Sequence, residues 1–153
     1  MNPTLAARCS GVQLVTQVLE GKDNTLSLIN VVENVRILKT MLGMALPLEA
    51  ISFWDFDRSV LNHEIETKVV IKNVHGEILS ETISKKLLIE SDSKDDVIRA
   101  RIRAKGINIP KEFGTFKLFM SWRDDTSDNW QESSGYWYFS LAEFVPNKDE
   151  SRE

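Results

Sequence analysis

The sequence predicts an all-β domain, an antiparallel β-sandwich of about eight strands, and three observations carry that prediction. Apolar and polar residues alternate with period two along several segments, as they must when one face of a strand is buried. Gly, Asn, Asp and Pro interrupt those segments at short intervals, where turns need them. Helical spacing occurs only once, over Leu38, Met41, Leu42 and Ala45, where one short helix is expected to stop at Pro47.

Val12 to Leu19 (VQLVTQVL) is the first strand, rich in β-branched residues, and Glu20 to Asn24 is its turn. Thr25 to Leu38 returns as the second arm of a hairpin. Leu48 to Asp57 alternates from Ile51 onward and forms the third strand. His63 to Val74 is the fourth, with Ile65, Thr67, Val69 and Ile71 on one face. Asn73 to Gly76 turns the chain into a fifth, Glu77 to Glu90, whose pattern breaks at Lys85-Lys86 in the manner of a bulge. Ser91 to Asp96 is a polar loop. Val97 to Ile107 is the sixth strand, Thr115 to Arg123 the seventh, with Phe116, Leu118, Met120 and Trp122 on one face, and Gly135 to Phe144 the last. Residues 1–146 read as one domain and Asn147 to Glu153 as a disordered charged tail.

Composition narrows the function classes. A length of 153 residues suffices for a core without staples, and 42% apolar with 27% charged residues is ordinary for a globular protein. The net charge of -4 argues against nucleic acid as a partner, since phosphate binding wants excess cation. The single cysteine, Cys9, cannot form an internal disulfide, and no apolar run reaches the roughly 20 residues of a spanning helix, so a cytoplasmic protein with no membrane role is expected. Leu5 to Cys9 lacks the apolar run of a lipoprotein signal, and Arg8 stands where a small residue belongs.

The sixth strand is the most informative segment. Arg99, Arg101, Arg103 and Lys105 alternate with Ala100, Ile102 and Ala104, which puts four cations on one face and small apolar residues on the other. Either the stripe docks an acidic protein, with Lys85 and Lys86 of the preceding strand beside it, or it pairs with Glu64, Glu66, Glu77 and Glu81 and guards a sheet edge.

Three other constellations compete. Trp54-Asp55-Phe56-Asp57 resembles the W-D-x-D loop of calcium-dependent C2 domains, and that likeness implies a calcium-dependent membrane module. Asp55 and Asp57 would then join Asp124, Asp125 and Asp128 around the ion. Trp130, Tyr136 and Tyr138 could form a flat platform for a carbohydrate. Cys9 with His63 or His75 could make a thiol dyad, although a lone cysteine among apolar neighbours is usually a small buried hydrophobe. No G-x-S-x-G, H-E-x-x-H, C-x-x-C or Gly-rich phosphate loop occurs, so no catalytic residue, no cofactor and no enzyme activity is assigned. The apolar run Met41 to Leu48 plugs one end of the sandwich or offers a surface for self-association.

Cys9-Ser10-Gly11-Val12, the Gly21-Lys22 turn, Ser27-Leu28-Ile29, and Pro110 with Phe113-Gly114 entering Phe116-x-Leu118 together resemble a family of small, mostly bacterial domains of unknown function. Asn30 stands where that pattern leads one to expect Gly. The resemblance implies a β-sandwich and no activity. The expected protein is thus a single-domain sandwich, immunoglobulin-like or related, that works as a non-catalytic binding or assembly module for a protein partner, another copy of itself included.

Overall fold

Eleven strands in two sheets packed face to face form the body of the computed structural model, which describes residues 7–83, 86–92, 94–124 and 128–146. The strands are β1 (Ala7–Glu20), β2 (Leu26–Val31), β3 (Asn34–Ile37), β4 (Ala45–Asp57), β5 (Glu64–Lys72), β6 (Ile78–Ile83), β7 (Leu87–Leu88), β8 (Val97–Asn108), β9 (Gly114–Asp124), β10 (Gln131–Glu132) and β11 (Trp137–Glu143). The smaller sheet runs β2-β1-β4-β8, and the larger runs β3-β11-β9-β5-β6, with β10 added to β9 and β7 to β5. All pairings are antiparallel except β3 with β11. The all-β sandwich expected from alternation is therefore the observed architecture.

Inward positions of both sheets make the core. Leu14 of β1, Ala50, Trp54 and Phe56 of β4, Ile65 and Val69 of β5, Phe116, Leu118, Met120 and Trp122 of β9, and Phe139 and Leu141 of β11 are all buried in one cluster. At one end Trp54 stacks on Phe56, with centroids 5.7 Å apart and planes 12° apart, and the Trp122 ring meets Phe56 edge-on at 5.5 Å. Such pairs add to burial through the ring quadrupole. The Trp54 indole N–H donates to Ser52 Oγ at 2.7 Å and that hydroxyl donates to the Ile102 carbonyl at 3.2 Å, so the buried polar atoms are satisfied.

Four local expectations need correction. The helix over Leu38–Ala45 is a single 3-10 turn, Lys39–Met41. Gly43, at φ 79°, takes the chain out of helical space, and Pro47 ends no helix: it lies inside β4, where the register with β8 shifts between Leu46 and Glu49. The segment Thr25 to Leu38 is two strands in different sheets. Asn30, at φ 51°, occupies the left-handed region that Gly and Asn tolerate, and the chain crosses from β2 into β3 just beyond it. The expected bulge at Lys85-Lys86 is instead a break between β6 and β7, with Lys85 outside the described residues. The Met41–Leu48 run behaves mainly as a plug: Leu46 is buried and Met41, Leu42 and Leu48 pack on the core, while Met44 stays exposed.

Candidate docking site at the edge of the smaller sheet

β8 delivers the alternation its sequence promises. Ile98, Ile102 and Ala104 are buried, whereas Arg99, Arg101 and Lys105 are exposed and Arg103 is half-buried. Gly106, at φ 74°, resets the pattern so that Ile107 is buried as well. The strand hydrogen-bonds to β4 and forms the end of its sheet.

The carboxylates opposite the stripe are not the ones expected. β8 lies against β4, so Glu49 faces Lys105 in register and Asp55 faces Arg99. Arg103 reaches across the outer face of the sheet, donating to Glu49 Oε1 at 3.0 Å, Glu20 Oε1 at 3.2 Å and the Val18 carbonyl at 3.1 Å. The second oxygen of Glu49 accepts the Val18 backbone N–H. Together these bonds fasten the far half of the β1–β2 hairpin over β4, above a small second core of Val15, Val18 and Ile51. Arg103 is thus a structural clamp and not a docking cation. Glu64 takes no part in it, Glu66 pairs with Arg123 and Glu81 with Lys68, both on the larger sheet. Glu49 and Glu20 escaped sequence reasoning, although a lone carboxylate inside the apolar run Leu46–Trp54 is itself a signal.

A groove of about 720 Å³ separates the β8 edge from β6 and β7 of the other sheet. Ile83, Leu87, Ile102 and Ala104 supply its apolar lining, and Lys86, Arg101 and Lys105 its charge. Lys86 therefore does stand near the stripe, but across the gap between sheets and not as a ladder neighbour; Lys85 lies outside the described residues. One end of the groove is closed where Asn108 N–H donates to Thr82 Oγ1 at 2.9 Å and Ser80 Oγ donates to the Asn108 carbonyl at 2.8 Å.

The calcium constellation does not assemble. Asp55 sits in register between Arg8 and Arg99, and Asp57 accepts the Ser59 N–H at 2.9 Å, which holds its carboxyl below the usual range. Asp96 joins them at a shallow cavity of about 330 Å³, but Arg8 enters the same cavity. Asp124 ends β9 in the other sheet, Asp125 lies outside the described residues, and no group of three or more His, Cys, Asp or Glu suited to a metal exists among the described ones, Asp128 included.

The aromatic platform is also absent as a flat surface. Tyr136 and Tyr138 are exposed, but their rings are 87° apart, and Lys117 Nζ lies 4.7 Å and 5.3 Å from their centres. Lys68 and Arg123 stand over the half-buried Trp130 at 4.4 Å and 4.5 Å. These rings already hold the cations of their own face. Cys9 is 4% exposed, its thiol donates to the Gly11 carbonyl, and burial pushes its pKa up, the opposite of an activated nucleophile.

Fold and edge together define a two-sheet sandwich with a basic edge strand. No protein-family model matches the chain, and no curated protein matches it in sequence. No helix among the described residues is long and apolar enough to cross a membrane.

Proposed function

We propose that this protein is a non-catalytic docking module that receives an acidic protein partner on the β8 edge. The observation that carries the reading is a run of exposed cations, Arg99, Arg101 and Lys105, on a strand at the end of its sheet, beside an open groove to which Lys86 adds a further charge. Clustered cations accelerate encounter with an acidic surface and select against basic ones. A cytoplasmic, bacterial setting goes with this reading, as does the resemblance to small bacterial domains, which adds no activity.

The test is capture from native lysate, followed by titration of the purified partner. Wild type is compared with Arg99→Glu/Arg101→Glu after circular dichroism has shown both folded. Arg103 and Lys105 are kept, because both contact Glu49. Loss of one partner by the variant, and affinity that falls steeply with salt, support the proposal. Equal binding by both proteins would sink it.

A further inference from the structure

We infer that β8 binds an extended segment of its partner as an added strand, with acidic side chains of that segment on the cations and apolar ones in the groove. The inference rests on the docking proposal and names how the partner is held.

An antiparallel edge strand turns the N–H and C=O of alternate residues outward, so Arg99 to Lys105 offers about three or four residues' worth of unused ladder. A segment paired there would alternate its side chains between two surroundings. On the outer face they would meet Arg101 and Lys105 as cross-strand neighbours, where carboxylates are favoured. On the inner face they would enter the groove against Ile83, Leu87 and Ile102, of which Ile83 is 65% and Leu87 40% exposed. None of the described residues lining the groove is acidic, so its charge is wholly cationic. The bonds from Asn108 to β6 close the far end, which limits the added strand to roughly seven residues at the strand rise of about 3.4 Å each. A nucleic acid would use the cations but leave the apolar lining uncovered, so the chemistry favours an acidic-apolar alternating peptide. The competing reading is that the cations merely keep this edge from pairing with anything.

Fluorescence anisotropy with a labelled, end-capped peptide of about seven residues, alternating Glu and Ile, separates these readings. Three controls accompany it: the same residues in block order, the alternating peptide with alternate backbone nitrogens methylated, and an alternating Lys-Ile peptide. Saturable binding, weakened at least about tenfold by block order and by N-methylation, is the expected result. Leu87→Asp and Lys86→Glu, both exposed positions across the groove, should each weaken it several-fold with the fold intact. If the methylated and block peptides bind as well as the alternating one, acidic chains dock by charge alone; strand addition is overturned and the docking proposal stands. If no acidic peptide binds at about millimolar concentration, yet Arg99→Glu/Arg101→Glu still loses its protein partner, strand addition again fails by itself. If neither peptide nor partner responds to these changes, both ideas fall.

Discussion

Replacing Glu49 by Ala should be among the most damaging single changes outside the apolar core. The carboxylate is 10% exposed and serves three groups: the Val18 N–H, the Arg103 guanidinium at 3.0 Å and the Lys105 ammonium at 3.7 Å. Val18 is buried, so its orphaned N–H costs about 1–3 kcal/mol. Arg103 keeps Glu20 and the Val18 carbonyl and is 23% exposed, so the lost pair is screened and adds only about 1 kcal/mol. Lys105, 70% exposed, adds close to nothing. The sum is about 2–4 kcal/mol, or a fall in Tm of about 5–15 °C for a chain of this size. Urea titration followed by tryptophan fluorescence gives the free energy and calorimetry the Tm. A double-mutant cycle with Arg103→Met should show a coupling of about 1 kcal/mol, and Lys105→Met alone should stay within about 0.5 kcal/mol of wild type. Glu49→Ala within about 0.5 kcal/mol of wild type would refute the clamp.

Three further outcomes follow from the same structure. Native Cys9 should react with a thiol reagent far more slowly than the urea-unfolded chain at neutral pH. Because burial raises its pKa, its contribution to stability is present below the ordinary thiol range and lost as pH rises through the folded value; Cys9→Ala should flatten that alkaline decline in urea titrations. Tyr138 should ionise below the usual phenol range, chiefly through its hydrogen bond with Lys117 and next through that with Tyr136, so Lys117→Met should move the phenolate absorbance transition to higher pH. Asn30→Val should cost about 1–2 kcal/mol in urea because φ is 51°, whereas Asn30→Gly should be nearly neutral.

Alternation made the strands and their faces legible. Phe116, Leu118, Met120 and Trp122 are buried together, and the β8 cations face outward, because a period of two needs no knowledge of partners. Pairing was not legible. β4 and β8 meet across some fifty positions, and nothing local in either strand names the other; the expected partners of the stripe were therefore drawn from the wrong sheet. The register that sets Glu49 opposite Lys105 depends on the irregularity at Pro47, which the helical spacing just before it disguised as a helix stop. The groove left no sequence signature, since it is a place where two sheet edges fail to meet, and only the splay of both sheets creates it.

The crossing from β2 to β3 also sets a timetable for synthesis. β3 finds its parallel partner only when Ser140 to Glu143 exist, about a hundred residues after Asn34. At ribosomal speeds that is a delay of about 5–20 s, during which the β1–β2 hairpin can form but β3 has no ladder to join. Throughout that interval the larger sheet lacks one of its borders, and β9 waits unpaired on the side that β11 will cover. The same connection that laces the two sheets together at the end makes the nascent chain depend on its last strand.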